Sequence, residues 1–240
     1  MVAYLCGSVP FGYLVGAAHG VDVRTVGSRN IGATNVGRVL GRRFFYLVFA
    51  LDAAKGFIPV AVAGWWLNTL GDGDTPPWRS WSHLAVGVAA LLGHLYPVWL
   101  SFRGGKGVAT GFGVLVGVFP TLTLPVVGAT LVWVAVYRVW RFVSLASIVA
   151  ALSVPLLTLL SGAMMRGADL IRPGWGRGTL FHWYYIWPYL IFTGIMAGLV
   201  VFRHRANIRR LVAGTELRST AEPSPPPYPP PPPHALRHRR

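Results

Sequence analysis

Long apolar runs separated by short basic loops set the plan of this chain. Seven stretches are apolar along most of their length, roughly 2–18, 44–70, 81–100, 107–119, 121–137, 143–163 and 183–202. Crossing a bilayer as a helix takes about 20 apolar residues. The pattern therefore predicts an all-α integral membrane protein with about seven transmembrane helices. The fourth run is short, and Pro120 and Pro125 punctuate the start of the fifth. That pair of runs reads alternatively as a broken or re-entrant segment, which a membrane tolerates only where protein covers it. The first run begins at Val2 and is barely long enough, so it is expected to tilt, to lie shallow, or to be preceded by further residues. It has no basic leader and runs straight into further spans, so no cleavable signal peptide is expected.

Composition points the same way. The 240 residues are 53% hydrophobic and only 12% charged, against about 25% charged in soluble domains. The single Cys6 permits no internal disulfide and no cysteine-rich metal site, and it reads as a small packing residue. A net charge of +15 could indicate nucleic acid, but the basic residues lie in loops between apolar runs and in the C-terminal segment. That distribution fixes membrane orientation and favours anionic headgroups and substrates; no nucleic-acid partner is expected. Loops 19–43, 101–106, 138–142 and 203–240 are rich in Arg and Lys, whereas the opposite loops hold only Arg79, Arg166, Arg172 and Arg177. The richer side is read as cytoplasmic, with the N-terminus outside and the C-terminus inside. Residues 1–216 form the expected membrane domain. Residues 217–240, with PSPPPYPPPPPH, are expected to be a disordered, proline-rich basic tail.

With this orientation the unusual polar segments converge on the cytoplasmic side, which is where an active site is expected. The stretch 93–111, GHLYPVWLSFRGGKGVATG, sets Arg103 and Lys106 among Gly104, Gly105 and Gly107. Glycine N–H groups, a lysine and a helix starting near Gly107 suit a phosphate, although the Walker A spacing is absent. The alternative is a basic loop that only orients the protein. The first cytoplasmic loop, VRTVGSRNIGATNVGRVLGRR, interleaves glycines with Ser28, Asn30, Thr34, Asn35 and Arg38. It reads either as an anion-binding loop or as a turn-rich linker. Asp52 and Lys55 share a helix face at i and i+3, favouring a structural pair over direct chemistry. Ser144 and Ser147 lie three apart at the start of the sixth run. His204 and Asn207 are spaced to present together on a helix continuing from the last run; the histidine suits either proton traffic or headgroup contact. The pairs Gly12/Gly16, Gly107/Gly111, Gly113/Gly117 and Gly194/Gly198 need no more than close helix packing.

Taken together, GSVPFGYLVG at 7–16, GSRNIGATNVGRVLG at 27–41, LDAAKG at 51–56, the 93–111 stretch, SLAS at 144–147 and HRANIRRLVAGTE at 204–216 resemble one family. It is the bacterial membrane acyl-phosphate:glycerol-3-phosphate acyltransferases, the PlsY family. The resemblance implies transfer of a fatty acyl group from acyl phosphate to the sn-1 hydroxyl of glycerol 3-phosphate, giving lysophosphatidic acid and phosphate in phospholipid biosynthesis. It implies a bacterial plasma-membrane location, contact with membrane lipid, and supply of acyl phosphate by a soluble phosphate acyltransferase. Carried over residue by residue, the catalytic set is Ser28, Arg38, Lys106, Ser147, His204 and Asn207. Arg29 stands where the family usually has glycine. The residue chemistry fits separately: Arg38, Lys106, Gly104, Gly105, Asn30 and Asn35 offer cations and N–H donors for substrate phosphates. No cofactor or metal is expected. The alternatives are a small transporter of phosphate esters or anions, a CDP-alcohol phosphotransferase, and a non-enzymatic lipid-binding protein. Each explains less, for want of mid-membrane polar groups, of an aspartate cluster, or of a reason for the clustered Gly, Asn, Ser and Arg.

Overall fold

A computed structural model describes residues 1–70, 75–171 and 179–219, with the backbone alone at 164–171 and 179–185. The expected tail beyond 219 lies outside the described residues, as do the side chains of Trp183, Tyr184 and Tyr185, an aromatic run that the sequence alone suggests as an interfacial belt.

Every regular element among the described residues is helical. The first apolar run is two short helices, α1 (Val2–Ser8) and α2 (Phe11–Ala18). Pro10 lacks an N–H and pushes Val9 out of helical geometry, to ψ 116°. The carbonyl freed at the break is not left bare: Lys55 Nζ donates to Val9 O at 2.7 Å. After the first loop come α3 (Ala33–Leu40) and α4 (Arg42–Trp66), then α5 (Pro77–Leu95), with Pro77 at its first turn where no N–H is needed. A short 3₁₀ turn, Val98–Leu100, leads into α6 (Val108–Gly117). The remaining helices are α7 (Thr123–Trp140), α8 (Val143–Ile171), α9 (Thr179–Arg203) and α10 (Arg205–Val212). α8 runs past the expected end at 163.

Five of these segments are long and apolar enough to cross a membrane: α4, Pro77–Leu100, α7, Val143–Ala163 and Ile186–Arg203. The other two expected spans are shorter apolar helices, Val2–Ala18 and Val108–Gly117. α4 shows the division of faces. Tyr46, Leu47, Phe57, Ile58, Val62, Trp65 and Trp66 point outward, while Val48, Asp52, Lys55 and Val60 are buried. Its inner face meets α6 closely enough that a Cβ at Gly113 would sit 1.9 Å from Ala53 O. The central core gathers Leu84 and Leu91 of α5, Val114 of α6, and Phe192 and Met196 of α9. Gly194 and Gly198 differ from the expectation of close packing, since added methyl groups there would meet nothing within 4 Å.

Candidate active site

One cavity of about 510 Å³ opens where the first loop, the 101–107 loop, the start of α8 and the α9–α10 junction converge. Ser28, Arg38, Lys106, Ser147, His204 and Asn207 all line it, although they come from four separated parts of the chain.

The first loop is shaped by Asn35. Its side-chain oxygen accepts the Ser28 N–H at 2.7 Å, and its Nδ2 donates to Val23 O and Val26 O. Both N–H donors of the amide are therefore spent on the loop's own carbonyls, so Asn35 shapes the cavity wall with no donor left over for a phosphate. Asn30 Oδ1 similarly accepts the Gly32 N–H at 2.9 Å, leaving its NH₂ for the cavity. Arg29 stands in left-handed backbone at φ 56°. The preference for glycine there has a plain steric cause.

The glycine loop also departs from expectation. Gly104 N–H donates to Leu95 O and Gly105 N–H to His94 O, so neither is aimed at a ligand. Their carbonyls accept from Arg203 Nη2 and Nε at 2.8 and 3.0 Å. The loop is thus clamped between α5 and the end of α9, and neither glycine lines the cavity. The wall beside Lys106 is instead the first turn of α6, with Gly107, Val108 and Ala109. N–H groups of a first helical turn lack helical acceptors and favour anions.

Under this loop, Asp52 and Lys55 form a buried ion pair at 2.7 Å. His94 Nδ1 lies 3.7 Å from Asp52, too far for a hydrogen bond. A Cβ at Gly105 would come within 2.2 Å of His94 Nε2, so the ring supports the loop from below. Asp52 and His94 also line the cavity above; the ion pair follows from the i and i+3 spacing, whereas the part played by His94 was not visible in the sequence.

Two cations of the cavity, Arg38 and Lys106, form no hydrogen bond or ion pair among the described residues. Burial pushes Lys106 down to about 8, and the charges of Arg210, Arg38 and Arg203 oppose its protonation further. Burial likewise lowers Arg38, which stays charged nonetheless. His204 occupies the junction between α9 and α10 rather than a continuous helix. Its Nδ1 is 2.8 Å from Val200 O. A carbonyl only accepts, so Nδ1 carries the proton and Nε2 is the basic nitrogen. Burial, and then the charge of Lys106, push this imidazole down to about 4.

Ser147 is more constrained than expected. Its hydroxyl donates to Val143 O at 2.8 Å and accepts from Trp133 Nε1 at 3.2 Å. Asn207 donates to Glu216 Oε1, which also accepts from the Ser144 hydroxyl, while Arg210 Nε holds Oε2 at 2.7 Å. Burial alone would raise the Glu216 pKa, but these three donors outweigh it and hold the carboxyl below its ordinary value. Glu216 and Arg210 carry no role in the sequence reading, although both lie in the 204–216 motif; only the fold reveals the carboxylate as a hub.

Residues 1–214 match the family described as Glycerol-3-phosphate acyltransferase. The chain belongs to this family. It is 40% identical over 217 residues to the glycerol-3-phosphate acyltransferase of Aquifex aeolicus, a match covering 90% of this chain and 95% of the relative. It is 44% identical over 222 residues to that of Geotalea daltonii, covering 89% and 92%. The fold resembles the crystal structure of PlsY (YgiH), an integral membrane glycerol 3-phosphate acyltransferase, in its glycerol 3-phosphate form. There the TM-score is 0.73 at 39% identity, covering 90% of this chain and 92% of the other. The lysophosphatidic acid form gives a TM-score of 0.70 at 38% identity, covering 90% and 91%. Membership matches the resemblance carried by the motifs and makes this a membrane acyltransferase of lipid biosynthesis.

Proposed function

We propose that the protein transfers a fatty acyl group from acyl phosphate to the sn-1 hydroxyl of glycerol 3-phosphate, giving lysophosphatidic acid and inorganic phosphate. The observation that carries this reading is one cavity in which Arg38 and Lys106 stand without an acceptor among the described residues, as Arg29 does at its edge, beside an imidazole with a free Nε2. Both substrates bring a phosphate with up to two negative charges, and such a cavity is poor in stability unless an anion enters it.

The glycerol hydroxyl oxygen attacks the acyl carbonyl. A new ester C–O bond forms, the carbonyl carbon's bond to the phosphate oxygen breaks, and phosphate leaves with the electron pair. Acyl phosphate is an activated mixed anhydride, so no acyl-enzyme is required. Ser147, with its hydroxyl engaged on both sides, is poorly placed to be a nucleophile. The proton goes to a phosphate oxygen, whose second pKa near 6 makes it a better base than an imidazole pushed down to about 4. His204 Nε2 accepts a hydrogen bond from the neighbouring second hydroxyl of glycerol 3-phosphate and so aligns the attacking one, whose own proton points to the phosphate. Lys106, Arg38 and the first turn of α6 stabilise charge as it moves from carbonyl to phosphate.

All seven apolar segments sit in a bacterial plasma membrane with the cavity toward the cytosol, supported by the asymmetry of basic residues. Glycerol 3-phosphate enters from water and the acyl chain lies among the helices in lipid. A soluble phosphate acyltransferase supplies the donor. The test is to give the purified protein acyl phosphate and glycerol 3-phosphate and to follow lysophosphatidic acid by mass spectrometry, with acyl-CoA in parallel. Product from acyl phosphate alone supports the reading. Product only from acyl-CoA changes the donor, and product from neither overturns it.

A further inference from the structure

A second cavity, of about 530 Å³, adjoins the first between the 22–31 loop and the 100–104 loop. Four guanidinium groups line it, Arg24, Arg29, Arg103 and Arg203, with one carboxylate, Asp22. That carboxylate is taken: Arg24 holds it through Nε and Nη2 at 2.9 and 2.7 Å, and Arg24 N–H donates to it as well. Arg203 spends two of its five N–H donors on Gly104 O and Gly105 O. Arg29 and Arg103 have no acceptor among the described residues. The cavity thus carries uncompensated positive charge in the fork geometry that matches phosphate oxygens.

Arg29 is the connection. It lines both cavities, and it does so from a backbone at φ 56° that disfavours any residue with a Cβ. Strain kept where two cavities meet points to a use for the side chain. Arg203 supplies a second link, since the carbonyls it holds immediately precede Lys106.

We propose that this cavity is a second phosphate-binding site, in which a phosphate group docks beside the catalytic cavity, with Arg29 reaching into both. The ligand class is a phosphate or phosphate monoester; its sources are inorganic phosphate, glycerol 3-phosphate or a lipid headgroup. The inference rests on the acyl-transfer reading only for which of these anions passes through.

The test measures inorganic phosphate binding to the full chain in phosphatidylcholine nanodiscs by titration calorimetry. Wild type is expected to bind more phosphate than Lys106→Ala removes, and Lys106→Ala to keep one site. Adding Arg103→Ala or Arg29→Gly to Lys106→Ala should weaken that remaining site at least about tenfold, the scale of one lost charge-assisted hydrogen bond. Arg29→Gly relieves the backbone, so it should hold or raise Tm while losing affinity, which a purely structural arginine would not do. In the Lys106→Ala protein, displacement by glycerol 3-phosphate identifies a soluble occupant; displacement by phosphatidic acid in the disc identifies a headgroup, and either supports the site. A single wild-type site abolished by Lys106→Ala overturns the proposal, as does a second site indifferent to Arg29→Gly and Arg103→Ala. Two-site binding without lysophosphatidic acid formation sinks the acyl-transfer reading and leaves this one standing.

Discussion

The Asn35 side-chain oxygen holds the Ser28 backbone N–H at 2.7 Å, while its amide group ties down the carbonyls of Val23 and Val26. One buried amide therefore closes the whole first loop onto α3 and fixes where Ser28 stands. Asn35→Ala leaves an N–H and two carbonyls without this partner, and a buried group so orphaned costs about 1–3 kcal/mol. Thermal unfolding should show a lowered Tm and kinetics a lowered kcat/KM. An active protein of unchanged stability would show that the loop is held otherwise.

Lys106→Ala should remove at least about 2–4 kcal/mol of transition-state stabilisation, the scale for a preorganised charge. Near-normal turnover would remove Lys106 from the mechanism.

The pH dependence of Lys106 is set by its pKa of about 8. The lysine is charged below that value and neutral above it, so kcat/KM for glycerol 3-phosphate should fall as pH rises through about 8. Lys106→Arg, which does not deprotonate in this range, should carry activity further into alkali even if its maximum is lower. A fall at the same pH in that variant would assign the titration to another group.

His204, pushed down to about 4, is already neutral at neutral pH. If it aligns the hydroxyl and a substrate phosphate takes the proton, His204→Ala lowers kcat without moving the acid limb of the pH profile. Its loss should cost about 1–3 kcal/mol of transition-state stabilisation, the range for a buried hydrogen-bonding group. Disappearance of an acid limb in the variant would instead make His204 the base.

Glu216 gathers Ser144, Asn207 and Arg210. Because its carboxyl is held below the usual 4.5, the stability it contributes is present at neutral pH and fades as pH falls through that lowered value. Glu216→Ala should lower Tm by several degrees and release Asn207. Glu216→Gln, which keeps acceptor oxygen but not charge, should recover part of the loss. A Tm unmoved by either substitution would mean that the hub does not stabilise the fold.

The helices were legible because apolar length and basic loops leave few alternatives for a chain with so little charge. The Asp52–Lys55 contact was legible because i and i+3 meet on any helix. The roles inside the loops were not. Gly104 and Gly105 look like free N–H donors until α5 supplies the carbonyls of His94 and Leu95. Asn35 looks like a ligand until Val23, Val26 and Ser28 occupy it. His94, Arg210 and Glu216 act through partners distant in the chain, and no local spacing announces that. The six residues carried over from the family motifs do share one cavity, because motif order encodes a three-dimensional meeting that single motifs cannot.

The side chains proposed to bind and react line a cavity formed by loops and helix ends, whereas the outer face of α4, from Tyr46 to Trp66, is no part of it. That separation sets how this protein can drift. Its outward-facing surface can be rewritten as the host's lipids change, provided each replacement stays apolar, while a few loop positions stay put. The proposed site asks for identity at a handful of positions, far fewer than the two in five that this chain shares with its Aquifex aeolicus relative.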